Sequence, residues 1–318
     1  MTTQPASVSV TLPMGLAIDR VKRLLFQPFD LGKWFVIGFC AWLAHLGEQG
    51  FHANFPGGWS EGRRSARHEF EHARDYVMSN LHWLVPLVAG VVIVCLILGL
   101  VFLWLNCRGK FMFLHCVALD KAEVAVPWHK FAREGNSLFW FRCVLGLIGF
   151  VLILPLLALG GIAVVSMVVN HGPRVGAILG LIAIVPMLIA VGIVFGLIGK
   201  LTTDFVVPIM FLRGRNCREG WVELLSLLSA NVGRFVLYVL FQAVLGLAIG
   251  MLVLLVVLVT CCCAGCVMAL PYLGTVLLLP ILVFKRSYSV HYLAQYGREY
   301  DVFASPTASL PGTPSPPM

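Results

Sequence analysis

Long apolar runs without Asp, Glu, Lys or Arg constrain this chain more than any other feature. They occupy residues 81–105, 143–169, 175–199 and 235–284. A helix needs roughly 20 apolar residues to cross the hydrocarbon core of a bilayer, because each residue advances it by about 1.5 Å. The last run is about twice that length, and the segment 261–265 predicts a break within it. The sequence therefore predicts an all-α integral membrane protein.

Six membrane spans are predicted once the shorter apolar segment 31–46 is included. The others are about 81–105, 143–169, 175–199, 235–259 and 266–284. Composition agrees, since 59% of the residues are hydrophobic and 12% are charged, whereas a soluble domain averages roughly 45–50% and about 25%. We expect a membrane domain over residues 13–303, a disordered N-terminus over 1–12 and a disordered Pro/Ser-rich tail over 304–318.

The basic residues are distributed unevenly between the two sides of these spans. One side carries basic residues in every segment, and the opposite side has Arg174 in one loop and none in another. Because cytoplasmic loops carry an excess of Lys and Arg, both termini are predicted to be cytoplasmic, in a cell (inner) membrane. The loop 47–80 is nearly neutral, with mixed charges, and does not decide the orientation. The basic side contains Arg20, Lys22, Arg23, Lys33, Arg108, Lys110, Lys121, Lys130, Arg133, Lys200, Arg213, Arg215, Arg218, Arg234, Lys285, Arg286 and Arg298.

Segments that enter the odd-numbered spans resemble one another. Residues 30–35 match residues 231–236 in residue type at each position, and residues 135–140 form a looser third copy. We interpret this as three parallel two-span repeats, each preceded by a cytoplasmic amphipathic helix at the interface. Asp30 and Asn231 are suitable N-cap residues for the spans that follow. The alternative is that aromatic belts give any multispan protein similar helix starts.

The cores of the predicted spans contain no Asp, Glu, Lys, Arg or His, which argues against a pump, a proton-coupled carrier or an intramembrane protease. Arg142 is expected to extend to the headgroups, and Lys200 and Asp204 are expected to form an interfacial pair. Tyrosines recur every fourth residue after span six, which is typical of a helix lying at the interface. They are Tyr288, Tyr292, Tyr296 and Tyr300.

Three further motifs leave alternative functions open. His68, Glu69 and His72 fit H-E-x-x-H, whose two histidines on one helix face can hold zinc while the glutamate polarises a bound water. Prolines within the spans, and G-x-x-x-G motifs at 176–180, 192–196 and 246–250, allow kinking and close helix contact. Cys263 and Cys266 form C-x-x-C at a predicted outer loop, where packing, a disulfide or metal binding would each suit them.

Segments 28–34, 204–211, 220–221, 224–228, 231–235 and 286–303 resemble uncharacterised six-span membrane protein families of bacteria and archaea. Those families are related to the membrane domain that accompanies some glycerophosphodiester phosphodiesterases. The resemblance covers roughly residues 15–303 and implies the architecture of that domain. It does not imply the phosphodiesterase activity, because no soluble stretch here is long enough for the catalytic barrel.

The sequence favours a non-enzymatic role as a scaffold or assembly component, or as a lipid-interacting component, of the membrane. Anionic headgroups are the expected partners of the basic face, and a protein partner or a second copy of the chain is an alternative. A passive or lipid-handling transporter is the next hypothesis, and a zinc hydrolase using His68 and His72 is the third. No catalytic residue, cofactor, metal ligand or nucleic-acid partner is assigned.

Overall fold

The computed structural model describes residues 9–47, 79, 81–169, 175–260, 265, 267, 268 and 270–304. Within these residues the fold consists of helices and contains no strand. In the first half, α1 is Leu12–Val21, continued by a π-helical turn Lys22–Phe26, α2 is Leu31–His45, α3 is Leu81–Leu119, α4 is Ala125–Lys130 and α5 is Ala132–Val169. In the second half, α6 is Val175–Leu201, continued by a π-helical turn Thr202–Val206, α7 is Val207–Arg213, α8 is Cys217–Ala230, α9 is Val232–Val259, α10 is Pro271–Leu277 and α11 is Leu279–Ala294.

Four described helical stretches are long and apolar enough to cross a membrane. The prediction of a helical membrane protein is thus confirmed at this level, while six spans and a threefold repeat are not. Helix α2 has 15 residues, or about 22 Å at 1.5 Å per residue, and α10 is separated from α11 at Leu278. The four stretches are His82–Leu119, Ala132–Ser166, Ile178–Arg213 and Val232–Val259.

These helices extend beyond the predicted spans, always toward the end that carries the charges. Helix α3 continues to Leu119, although the second predicted span stops at residue 105, and α5 begins at Ala132 although the third begins at 143. The predicted spans end at charged residues because hydropathy defines them, whereas a helix needs only its backbone hydrogen bonds to continue past Arg108 or Arg142. The extra turns carry the buried core.

Buried side chains are concentrated at this end of the helices. Residues 111–114 of α3, 205–207 after α6 and 287–290 of α11 are buried, and Phe235 and Tyr238 of α9 pack among them. By contrast, the most apolar windows of α3 and α6 contain no buried residue. Exposed apolar surface on this scale is the kind that lipid chains cover.

In the part of the chain that the structure describes, the closest helix contact is made at a glycine outside the predicted G-x-x-x-G motifs. A Cβ atom at Gly176, Gly180, Gly192, Gly196, Gly246 or Gly250 would meet no described atom within 4 Å. Gly109 of α3 is different, because a Cβ there would lie 2.5 Å from the carbonyl carbon of Leu43 in α2. Among the described residues, the glycines of the G-x-x-x-G motifs therefore make no close helix contact.

Candidate functional site

The π-helical turn Thr202–Val206 lies where α6 passes into α7 and forms the centre of the candidate site. Its threonine hydroxyls donate to carbonyls one turn earlier, Thr202 to Ile198 at 2.6 Å and Thr203 to Gly199 at 3.0 Å. A π turn inserts one residue into the helical register and is frequent at functional sites. Here it brings Thr203 and Asp204 next to side chains from other helices.

Three cationic side chains from three helices converge on Thr203. The ammonium of Lys110 in α3 donates to the Thr203 hydroxyl at 2.8 Å, and a guanidinium N–H of Arg142 in α5 donates to the same oxygen at 3.0 Å. Arg286 of α11 donates to the Thr203 carbonyl at 2.5 Å. Lys110 is 3% and Arg286 is 7% exposed. We call Lys110, Arg142, Thr203 and Arg286 the Thr203 cluster.

Helix α2 is connected to the cluster through Asn106 of α3. The Asn106 carboxamide oxygen accepts a hydrogen bond from Arg142 at 2.8 Å. Its amide nitrogen donates to the carbonyls of Ala44 and Leu46, at 2.8 and 2.9 Å. Those carbonyls end α2, where backbone acceptors have no partner within the helix. Asn106 therefore connects the end of α2 to the cationic side chains.

Asp204, which follows Thr203 in the π-helical turn, makes a second set of polar contacts beside the cluster. Its Oδ2 atom pairs with the Lys200 ammonium at 3.1 Å and accepts from the Tyr238 hydroxyl at 3.1 Å. The Gln242 amide in turn donates to the Tyr238 hydroxyl at 3.1 Å. The predicted pair of Lys200 and Asp204 is thus present. This hydrogen-bonded chain connects α6 and α9 through the buried ring of Tyr238.

The charges of Lys200 and Asp204 act on Lys285, which precedes Arg286 in α11. Asp204 itself is paired with Lys200. Burial and the charge of Lys200 lower the pKa of Lys285, although Asp204 opposes this shift. A lowered lysine pKa is the response expected when cations are held close together away from water.

All members of the cluster lie at the ends of apolar runs. Lys110 follows the run 81–105, Arg142 immediately precedes 143–169, Thr203 follows 175–199 and Arg286 follows 235–284. Four chain segments thus bring polar atoms to one level, at the end of the molecule that holds the buried core. At such a level a bilayer changes from hydrocarbon to headgroups.

Two predictions about this region are wrong. Arg142 does not extend outward, because its guanidinium donates inward to Asn106 and Thr203. The tyrosines do not form an exposed interfacial stripe, since Tyr288 and Tyr292 are fully buried and lie 5.9 and 4.6 Å, centroid to centroid, from the Tyr238 ring. The spacing of four reflects a helix face that packs on α9. Hydropathy alone cannot distinguish such a face from one that faces the bilayer surface.

Of the two predicted N-cap residues, one caps its helix with its side chain and the other does not. Asp30 caps α2, since its carboxylate accepts from the Gly32 N–H at 2.8 Å. Asn231 does not cap α9 with its side chain, which instead donates to the Leu227 carbonyl and accepts from Arg234. Helices α1, α4 and α8 precede α2, α5 and α9 along the chain, which does not by itself test the predicted repeat.

Several predicted features lie outside the described residues. They include the H-E-x-x-H motif at 68–72, the loop 48–78, the C-x-x-C pair Cys263 and Cys266, and both predicted disordered termini apart from residues 9–12 and 304. Within the described residues, no group of three or more His, Cys, Asp or Glu is placed to hold a metal ion.

Sequence reasoning missed the Thr203 cluster as a unit. A signal was present, because basic residues occur within five positions of the ends of several apolar runs on one side. Such residues are usually interpreted as positive-inside signals that face water. Their convergence depends on the π-helical turn, which leaves no pattern in hydropathy.

A comparison with protein-family models gives a match over most of the chain. A family model described as a family of unknown function, DUF7544, matches residues 12–294. It shows no link to glycerophosphodiester phosphodiesterases, so that resemblance stays a prediction. No curated protein and no solved structure matches the chain. Because the match extends over most of its length, the chain belongs to the DUF7544 family of unknown function.

Proposed function

We propose that this protein is a non-enzymatic, multi-pass component of the cell (inner) membrane, acting as a scaffold or lipid-interacting protein. In this proposal six spans in three parallel repeats hold both termini in the cytoplasm, and the basic end of the bundle contacts anionic headgroups. The observation that carries it is the contrast between the ends: cations converge at the buried end, whereas the most apolar windows of α3 and α6 contain no buried residue.

Exposed basic residues at the same end support the proposal. Lys121, Lys130, Arg133, Arg215 and Arg218 are exposed in the segments that connect the long helices. Each Lys or Arg near an anionic membrane surface contributes about 1 kcal/mol of attraction, and salt weakens that attraction. Such residues would orient the protein and concentrate anionic lipid around it.

Unfolding in nanodiscs of defined lipid tests this surface interaction. We expect a higher midpoint of thermal unfolding in phosphatidylglycerol than in phosphatidylcholine, and we expect added salt to reduce the difference. Replacing Lys130, Arg133 and Arg215 together by Gln should reduce it as well. Equal midpoints in the two lipids at low salt would contradict the proposed interaction.

A passive or lipid-handling transporter is the second candidate. Its support is the presence of Pro86, Pro155 and Pro186 inside α3, α5 and α6, because proline interrupts the helical hydrogen bonds. Vesicles containing the protein and a fluorescent phospholipid test it. Transbilayer movement faster than in protein-free vesicles would favour transport over the scaffold, and equal rates would exclude lipid transport under those conditions.

The zinc hydrolase remains the third hypothesis, based on His68 and His72. Elemental analysis of protein purified without chelators tests it against the variants His68→Ala and His72→Ala. About one zinc per chain, lost in both variants, would favour it. Absence of zinc from the wild-type protein would exclude it.

A further inference from the structure

Two cysteines of neighbouring helices have their sulfur atoms in contact. The Sγ atoms of Cys40 in α2 and Cys116 in α3 lie 3.8 Å apart, and both side chains are fully buried as free thiols. We infer that this thiol pair is a redox modification site, at which a peroxide oxidises the two thiols to a disulfide that locks α2 to α3. Because the chemistry depends on these two helices, the inference does not rest on the proposed function.

Geometry is the first reason. A disulfide holds its sulfur atoms about 2.05 Å apart, so the sulfurs must approach by about 1.8 Å, which rotation about the Cα–Cβ bonds can supply. The backbones of the two helices already lie close together, because a Cβ at Gly109 of α3 would be 2.5 Å from the Leu43 carbonyl carbon of α2. Leu43 is about one turn from Cys40, and Gly109 is about two turns from Cys116. The helix crossing thus holds the two thiols next to each other.

Access is the second reason. The Cys116 thiol is placed to donate to the Glu123 carbonyl at 3.6 Å as well as to its partner sulfur. Glu123 belongs to the connection 120–124 between α3 and α4, in which Asp120 and Lys121 are exposed. The thiol pair therefore lies next to a short surface segment, and a peroxide reaches it once that segment moves aside. In the orientation proposed above this segment faces the reducing cytoplasm, where the resting state is the dithiol.

The oxidation takes two steps, with hydrogen peroxide as the oxidant. Cys116 reacts first because it adjoins the surface segment: its thiolate attacks a peroxide oxygen, an S–O bond forms, the O–O bond breaks, and the departing hydroxide takes up the thiol proton as water. The Cys40 sulfur then attacks the sulfur of this sulfenic acid, so that an S–S bond forms, the S–O bond breaks and a second water leaves. Two thiols thereby lose two electrons and two protons, and one peroxide becomes two water molecules.

A disulfide at this place would strengthen the attachment of α2. Helix α2 has 15 residues, and the carbonyls of Ala44 and Leu46 at its end accept hydrogen bonds from Asn106 of α3. The disulfide would add a covalent link to these hydrogen bonds. Because the two cysteines are 76 positions apart, it closes a long loop, and the stabilisation by a disulfide increases with loop length. Reduction by a thiol would restore the dithiol, so the attachment of α2 would follow the redox state of its surroundings.

Peptide mapping tests the site. The full-length protein is purified under reductant into nanodiscs, the reductant is removed, and the folded protein is treated with hydrogen peroxide. The remaining thiols are blocked with N-ethylmaleimide under denaturing conditions, and the protein is digested for mass spectrometry. We expect a peptide in which Cys40 is linked to Cys116, and we expect dithiothreitol to separate it. If both cysteines carry the blocking group without prior reduction, the proposal is overturned.

Alanine variants separate the thiol pair from other cysteines, since alanine keeps a small apolar side chain at each position. Cys40→Ala should abolish the linked peptide and leave Cys116 as a sulfenic acid that dimedone labels. The control Cys95→Ala, which changes an exposed cysteine of α3, should leave the linkage unchanged. Dimedone labelling of Cys116 that is no greater in Cys40→Ala than in the wild-type protein would contradict the order of the two steps.

Thermal unfolding tests whether the disulfide locks the two helices. We expect peroxide to raise the unfolding midpoint of the wild-type protein by roughly 3–10 °C, dithiothreitol to reverse this shift, and Cys40→Ala to show no shift. An unchanged midpoint in protein that contains the linked peptide would overturn the lock. The preference for anionic nanodiscs is a separate measurement, so absence of the disulfide would leave the proposed function standing, and loss of that preference would leave the disulfide standing.

Discussion

Thr203 is the residue through which α3, α5, α6 and α11 meet. Its hydroxyl accepts from Lys110 and Arg142 while donating to Gly199, so both lone pairs and the hydrogen are used. We expect Thr203→Val to lower the free energy of unfolding by about 1–3 kcal/mol, because two cations lose an acceptor. Thermal unfolding in detergent checks this.

Thr202→Val is the matched control for that prediction. Its hydroxyl bonds only to the carbonyl of Ile198 among the described contacts, within the same helical segment. The loss should therefore be smaller than for Thr203→Val. Equal destabilisation by the two variants would show that the hydroxyl of Thr203 has no special role.

His291 predicts a pH dependence of stability. Its ring stacks on Phe303 with centroids 4.3 Å apart, and the Arg20 guanidinium also lies over Phe303. Burial lowers the pKa of His291 below its ordinary value, Arg20 lowers it further, and Asp301 opposes them. The unfolded chain therefore binds a proton more readily. Stability should be fully present above about pH 6.5 and fall as the pH decreases below it.

The variant His291→Phe keeps a ring against Phe303 and removes the titration. We expect the unfolding midpoint of the wild-type protein to decrease between about pH 7 and pH 5, and the decrease to be smaller in the variant. Identical pH profiles would assign the dependence to other groups.

At the scale of single residues, the sequence predicted contacts between residues that are close along the chain, but not contacts between different helices. Lys200 with Asp204 and Asp30 with Gly32 lie within one turn, so residue spacing is enough to predict them. The inward contacts of Arg142 connect it to residues 36 and 61 positions away. Nothing in local hydropathy determines whether such an arginine turns toward the headgroups or toward other helices.

Among the elements, the crossing of α2 and α3 depends on a glycine. A Cβ at Gly109 would lie 2.5 Å from the Leu43 carbonyl carbon and 2.6 Å from the Ala44 nitrogen, which are backbone atoms that cannot rotate away. We expect Gly109→Ala to separate the two helices and to destabilise the protein by about 1–3 kcal/mol or more. Chemical or thermal unfolding in detergent measures this change.

Gly99→Ala provides the comparison within the same helix. A Cβ at Gly99 meets no described atom within 4 Å. Alanine is favoured over glycine inside a helix by roughly 0.5–1 kcal/mol, so this variant should be neutral or slightly more stable. If both variants destabilise equally, the close approach of α2 to α3 at Gly109 is not important for stability.

Most of the long helices could be predicted from the sequence, because runs of more than 20 apolar residues have few alternatives. Their ends could not, since α3 and α5 continue through charged residues that the buried core accommodates. The division at Leu278 between α10 and α11 was also missed. Both neighbouring segments are apolar, so hydropathy does not change there.

For the whole molecule, the buried polar contacts and the exposed apolar surface occupy opposite ends of the same helices. The candidate site follows from this asymmetry, because cations at the ends of several apolar runs come together once the helices are bundled. The sequence predicted the uneven distribution of charge. It did not predict that part of this charge is buried, which depends on how the helices pack.

Reporter fusions measure most directly whether the cationic end faces the cytoplasm. Alkaline phosphatase, active only outside the cytoplasm, and green fluorescent protein, fluorescent only inside it, are fused after residues 60, 123, 172, 216, 264 and 318 in a bacterial host. We predict phosphatase activity at 60, 172 and 264, and fluorescence at 123, 216 and 318. The reverse pattern would contradict the orientation, and fluorescence at 60 or 264 would contradict six spans.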